Sequence, residues 1–322
     1  MTQGSAVPPP VTVVMEAAET WLPRRMLAVE DRLAELVGGH GEALAQDARA
    51  TLEAGGKRLR PMLVLLCAGR DAGAEAEQAA TAIELVHMAT LVHDDVLDAA
   101  PLRRGRATVV ATSGRGRATA VGDLLFSRAF AELEDPRQIA LLAGTSVALA
   151  RGELMQRSDA YDVAISAERY LERCRRKTGR LFECACTIGR FDPEGDDALR
   201  EFGGDIGLAF QLLDDVLDVT GPSERTGKAR GTDLLDGTVT LPLILARDED
   251  PGLAQLDLRG IDQRRAEQVC DRIAATGALE RVRAAARERV DRAKARVASA
   301  PLAAEQRELL ALVADGVVER YS

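Results

Sequence analysis

Leu91-Val92-His93-Asp94-Asp95-Val96-Leu97-Asp98 returns, 120 positions on (214 minus 94), as Gln211-Leu212-Leu213-Asp214-Asp215-Val216-Leu217-Asp218, and a proline follows each copy, Pro101 and Pro222. Residues four apart stack on one face of a helix, so Asp94 lies over Asp98 with Asp95 beside them. Asp214, Asp218 and Asp215 repeat the arrangement. Each proline stops its helix, which leaves three carboxylates at a C-terminus, the negative end of the macrodipole, where Lys or Arg normally sits. Like charges in apolar surroundings call for a cation. Mg²⁺ suits the donors: it takes one or two carboxylates, keeps several waters and bridges to substrate phosphates. One copy alone reads equally well as a solvated helix end. Two copies, on helices that can face each other across a bundle cavity, favour the metal.

Outward from these segments the helical period holds nearly throughout, with Met26, Val29, Leu33, Leu36 and Val37 near one end and Leu309, Leu312, Val313 and Val317 near the other. Alternating β-branched segments are nearly absent, aromatics are 3%, and Ala, Leu, Arg and Glu dominate. The fold class is all-α, a large single-domain helical bundle. Breaks at Gly38-Gly39, Gly69 to Gly73, Pro101, Asp192 to Asp197, Gly221-Pro222 and Pro251 predict ten or more helices. No linker divides the chain, so residues 15–322 read as one domain. Residues 1–14, with Gly4 and Pro8-Pro9-Pro10, read as a flexible tail without the features of a secretory signal.

With 322 residues and 46% of them hydrophobic, the chain can bury a substantial core, yet no apolar run reaches the length of about 18 residues that a membrane helix needs. No integral membrane segment is expected. A formal charge of -9 argues against a protein that grips nucleic acid. The five cysteines are odd in number, and Cys184 and Cys186 lack the two-residue gap of a zinc or redox pair, which fits a reduced, cytoplasmic setting.

Basic residues are overwhelmingly Arg, and the four lysines are Lys57, Lys177, Lys228 and Lys294. Lys57 lies in Gly55-Gly56-Lys57-Arg58-Leu59-Arg60-Pro61, where glycines permit close backbone approach and Lys and Arg supply phosphate donors. Lys177 precedes Thr178-Gly179, and Lys228 follows Gly227 beyond the second acidic cluster. His87 stands seven residues before Asp94, on nearly the same helix face, as a phosphate donor; His93 is the weaker candidate. Arg103 and Arg104 open an Arg-rich loop that continues through Arg106, Arg115 and Arg117. No Ser-His-Asp order, HExxH, GxGxxG or CxxC pattern is present, so the implied chemistry is metal plus diphosphate.

These residues, taken in order, resemble the trans-isoprenyl (polyprenyl) diphosphate synthases of the isoprenoid-synthase fold. The likeness runs from Gly55 to Pro61, through Glu84-Leu85-Val86-His87, both aspartate motifs, Arg103-Arg104-Gly105, Gly122-Asp123, Gly152 to Gln156 and Lys177-Thr178, to Gly227-Lys228 and Thr240-Leu241-Pro242. The resemblance implies a homodimeric prenyltransferase that condenses an allylic diphosphate with isopentenyl diphosphate in five-carbon steps and releases pyrophosphate. It implies three Mg²⁺ ions on Asp94, Asp95, Asp98, Asp214, Asp215 and Asp218. Arg103, Lys177 and Lys228 would grip the leaving group, with Gln211 and Thr178 near the reacting carbons. Lys57, Arg60, His87 and Arg104 would form the isopentenyl diphosphate pocket. The chain departs from many members at Asp236-Gly237-Thr238-Val239-Thr240, where a lysine is common. The family's chain-length gate, five residues before the first aspartate, is Ala89 with Thr90 next to it, which implies a product of geranylgeranyl length or longer. A class I terpene cyclase and a regulatory subunit of a heteromeric synthase are the alternatives, and two complete aspartate motifs weigh against both.

Overall fold

The computed structural model describes residues 10–38, 42–53, 56–103, 105–191, 196–221 and 230–319. The first helices are α1 (Pro10–Ala17), α2 (Leu22–Gly38), α3 (Glu42–Glu53) and α4 (Leu59–Ala68), and they lead into the long α5 (Ala74–Leu97). Glu75 and Glu77 complement the dipole in the first turn of α5, and Asp98 closes its last turn through a backbone bond to the Asp94 carbonyl (2.8 Å). Next come a two-stranded hairpin, β1 (Leu102–Arg103) and β2 (Arg106–Ala107), and then α6 (Val109–Ser113) and α7 (Arg115–Ala131). This hairpin is the whole of the strand content among the described residues.

Helix α8 (Pro136–Ser158) starts with Asp135 as N-cap and proline at its first position. It is followed by α9 (Ala167–Cys174), a π-helical turn Arg175–Gly179 and α10 (Arg180–Thr187), which form one continuous rod. Helix α11 (Asp196–Thr220) carries the second aspartate motif. Two short helices, α12 (Thr232–Leu235) and α13 (Leu241–Ala246), precede α14 (Gln263–Ala274), α15 (Ala278–Ser299) and α16 (Ala304–Glu319).

Helix α5 is wrapped by α4 and α7, α11 by α10 and α15, and α4 and α10 join the two groups. The core runs continuously through all of them, and its largest fully buried side chains include Tyr170, Phe182 and Phe202. The two motif-bearing helices do not pack face to face; their C-terminal ends frame a cavity.

The expected tail is shorter than the sequence suggested. Helix α1 already includes Pro10 to Val14, and Val14 is completely buried where α1 packs on α16. Val11, Val14, Met15 and Ala18 form an apolar stripe at helical spacing, and proline is tolerated in a first turn, so the burial outweighs the proline-rich lead. Residues 1–9 lie outside the described residues.

Candidate active site

A cavity of about 290 Å³ opens between the C-terminal ends of α5 and α11, and α8, α9, the π turn and residues 232–240 complete its wall. From α5, His87, Thr90, Leu91, Asp94 and Asp98 line it, at the spacing of one helical face. From α11 come Phe210, Gln211, Asp214 and Asp215, and from the π turn Lys177 and Thr178. Arg60 and Arg103 also reach the wall.

The aspartates divide into two groups. Asp94, Asp98, Asp214 and Asp215 line the cavity, whereas Asp95 and Asp218 do not. Asp95 is buried and accepts from Arg103 Nε (2.7 Å), which ties the hairpin to α5. Asp218 accepts the backbone N–H groups of Thr232 (3.1 Å) and Asp233 (3.3 Å) at the start of α12. Asp98 accepts from Arg157 Nη2 at 2.5 Å. Asp215 has donors on both oxygens: Gln211 Nε2 at 2.8 Å on one and the Tyr170 hydroxyl on the other.

Burial sets the electrostatics. It pushes the Asp94 carboxyl up to about 6; Lys177 opposes the shift and Glu153 reinforces it. Lys177 Nζ stands 3.9 Å from Asp94 Oδ2 but only 2.6 Å from Glu153 Oε2, so its charge is shared. Burial, aided by the charge of Asp233, also raises Asp215 well above the usual carboxylate range, against the hydrogen bonds of Tyr170 and Gln211. Burial works the same way on Glu153, but there Lys177 and Arg157 outweigh it and the carboxyl is lowered.

The π turn explains how Lys177 and Thr178 arrive at the wall. Such a turn holds one residue more than an α-turn and rotates the facing of the residues beyond it. Helix α8 meets it at Gly152, where a Cβ would lie 2.5 Å from the Lys177 nitrogen, so only glycine allows the approach. Thr178 Oγ1 donates to Gln211 Oε1 (2.8 Å), which joins the turn to α11.

The basic segment before α4 is split in three directions. Lys57 is exposed. Arg58, in the left-handed region at φ 49°, turns inward to Glu84 (2.8 Å) and Glu30 (2.5 Å). Arg60 donates to His87 Nε2 (3.2 Å) and lies over the Phe182 ring, 4.5 Å from its centroid, at the cavity wall. His93 faces elsewhere: it stacks on Phe126, pairs with Asp123 Oδ1 (3.3 Å) and crowds Gly122 so closely that a Cβ there would overlap its ring. Of the two gate positions, Thr90 lines the cavity, and Ala89 is fully buried outside its wall, one turn before His93. Arg104 and Lys228 lie outside the described residues.

Sequence reading gave no role to Tyr170, Glu153, Arg157, Arg173, Asp233 and Asp236, of which all but Glu153 line the cavity. The spacing of Glu153 and Arg157, an ion pair at 2.8 Å one helical turn apart, was the available signal for those two. Tyr170 precedes Lys177 by seven residues, and the π turn obscured their shared side. All five cysteines are free and buried, and burial pushes the Cys174, Cys184 and Cys270 thiols up to about 12.

Comparison with known proteins agrees with this architecture. The family described as Polyprenyl synthetase matches residues 42–275. Heptaprenyl diphosphate synthase component 2 from Geobacillus stearothermophilus is 39% identical over 278 residues, which cover 83% of this chain and 87% of that protein. Octaprenyl diphosphate synthase from Escherichia coli is 35% identical, with the same coverage, 83% and 87%. The polyprenyl synthase from Caulobacter crescentus, crystallised with calcium and isoprenyl diphosphate, superimposes with a TM-score of 0.90 at 33% identity over 100% of both chains. The bundle is thus the isoprenoid synthase fold, and the chain is a prenyltransferase of the polyprenyl synthetase family.

Proposed function

We propose that this chain lengthens an allylic diphosphate with isopentenyl diphosphate at the cavity between α5 and α11, in successive five-carbon additions, to a product of geranylgeranyl length or longer. The observation that carries the reading is convergence. Asp94, Asp98 and Asp214, the Lys177–Thr178 turn and the Arg60–His87 pair come from four separate parts of the chain to line one cavity.

The donor set fits Mg²⁺. The wall carboxylates are hard oxygen donors, and Asp94 is held in a buried, poorly compensated state that a cation would relieve. Among the described residues no three His, Cys, Asp or Glu side chains are grouped to hold an ion unaided. Mg²⁺ takes one or two carboxylates and completes its shell with water and phosphate. Asp94 and Asp98 would hold it on α5 and Asp214 on α11, with three ions when substrate is present. Mg²⁺ held there would neutralise the diphosphate and so favour the departure of pyrophosphate from the allylic carbon.

Lys177 and Arg103 line the same wall and complement the negative charge that builds on the leaving group. Leu149, Leu181 and Phe210 give an apolar wall that keeps water from the allylic cation, and the Thr178 and Gln211 oxygens offer it partial negative charge. Arg60 and His87 would orient isopentenyl diphosphate, with Lys57 and Arg104 completing its pocket and Lys228 adding a cation to the allylic diphosphate. The allylic C–O bond breaks, the terminal alkene carbon of isopentenyl diphosphate forms the new C–C bond, and the proton lost from that unit passes to departing pyrophosphate.

A small residue at the gate position, Ala89, is what the family resemblance links to a long product, and the names of the heptaprenyl and octaprenyl relatives support that reading. We take the assembled state as a homodimer in the cytoplasm; no described helix is long and apolar enough to cross a membrane. The word component in the name of the Geobacillus relative raises a second reading, in which a different chain completes the enzyme. That reading expects a purified chain inactive until its partner is added. Asp94→Asn and Asp214→Asn test the site: each is expected to lower turnover at least about a thousandfold while circular dichroism stays that of the parent. Wild-type turnover in either variant would overturn the metal assignment.

A further inference from the structure

Tyr170 belongs to no part of the chemistry above, yet it is 1% exposed and its hydroxyl donates to Asp215, itself 2% exposed. Gln211 Nε2 donates to the other oxygen of the same carboxylate (2.8 Å), and Gln211 Oε1 accepts from Thr178 Oγ1 (2.8 Å). A single hydrogen-bonded line therefore runs from Tyr170 on α9, through Asp215 and Gln211 on α11, to Thr178 on the π turn. It crosses twice between two elements that frame the cavity. Along it the Gln211 amide turns its nitrogen to Asp215 and its oxygen to Thr178.

Asp95 in the first motif offers a parallel. It too follows the first aspartate of its motif, is buried, and has an oxygen held by a side-chain donor, Arg103. The parallel lies in the tethering and not in the facing: Asp95 is off the cavity wall, whereas Asp215 lines it beside Asp214.

We propose that Tyr170 is a positioning residue for prenyl transfer: by holding one oxygen of Asp215 while Gln211 holds the other, it keeps Asp215 as an anchor instead of a metal ligand and sets the Gln211–Thr178 pair at the cavity wall. The inference rests on the prenyl-transfer reading and refines it. Metal binding at the second motif then falls chiefly to Asp214. Removing the Tyr170 hydroxyl frees one oxygen of Asp215, lets that carboxylate turn, and loosens the two groups set against the reacting carbons. Substrate and metal would still bind; the transfer step would slow.

The test compares Tyr170→Phe, Asp215→Asn, the double variant and Asp214→Asn with wild type. Turnover and KM for isopentenyl diphosphate are measured by product mass, and affinity for Mg²⁺ with inorganic pyrophosphate by calorimetry. Tyr170→Phe and Asp215→Asn are each expected to lower kcat about tenfold or more, with KM and Mg²⁺–pyrophosphate affinity within about threefold of wild type. The double variant is expected to be no slower than the slower single one, because both break the same link. Asp214→Asn is expected to weaken Mg²⁺–pyrophosphate binding at least about tenfold. An unchanged kcat in Tyr170→Phe, kcat losses that multiply in the double variant, or an Asp215→Asn affinity loss equal to that of Asp214→Asn would overturn the proposal. A wild-type protein that binds no Mg²⁺–pyrophosphate overturns the prenyl-transfer reading itself, and this inference with it.

Discussion

Asp94 shows a cost that folding accepts for function. Burial raises its carboxyl from the ordinary 3.8 to about 6, so the folded protein prefers it protonated. Its contribution to stability is fully present below the ordinary value and is lost as pH rises through about 6. Ligand-free wild type is therefore expected to melt lower at about pH 7.5 than at about pH 5.5. Asp94→Asn should narrow that difference and raise the melting temperature at the higher pH by about 1–3 °C, even though the same substitution is expected to lower turnover. A thermal scan at both pH values checks this, and an Asn variant less stable than wild type at the higher pH would contradict it. Arg58 carries the opposite expectation. It pairs with Glu84, a fully buried carboxylate raised by burial and pulled back by Arg58 and Arg60. Arg58→Ala is expected to cost about 3–5 kcal/mol in chemical denaturation, since it strands a buried charge. The sequence showed Lys57, Arg58 and Arg60 as one basic cluster; only packing tells which of them braces the fold and which faces substrate.

At the scale of elements, α5 and α11 were legible because two signals agreed: apolar periodicity inside the helix and proline beyond its end. The acidic residues at i and i+4 then fell onto one face, and the cavity wall holds Asp94 with Asp98 as that geometry requires. Asp218 departs from it because the backbone N–H groups of Thr232 and Asp233 hold its carboxylate. The π turn was not legible, since Arg175-Arg176-Lys177-Thr178-Gly179 carries no propensity that separates it from an α-turn. Its only trace is Gly152, a glycine inside a helix on the opposite wall. Gly152→Ala is expected to push the turn away, lower kcat at least about tenfold and cost about 1–3 kcal/mol, as overpacking does. Denaturant unfolding together with steady-state kinetics checks both figures, and a neutral substitution would mean that α8 does not hold the turn.

For the whole molecule, the all-α class and single bundle came from composition and period, whereas the cavity floor is a matter of how helices stack. Ala89 lies on α5 one turn before His93, whose ring stacks on Phe126 of α7 (centroids 5.9 Å apart), so the space between α5 and α7 beneath the site is set by these side chains. Ala89→Phe is expected to shorten the product by one or more five-carbon units; an unchanged product mass would place the stop elsewhere. The most direct test of the account is incubation of the purified protein with Mg²⁺, isopentenyl diphosphate and, separately, dimethylallyl, geranyl, farnesyl and geranylgeranyl diphosphates, with product masses measured beside an EDTA control. A Mg²⁺-dependent ladder at five-carbon steps, ending at geranylgeranyl length or beyond, is the expected result. A cyclic hydrocarbon from one diphosphate alone, without elongation of any primer, would contradict it.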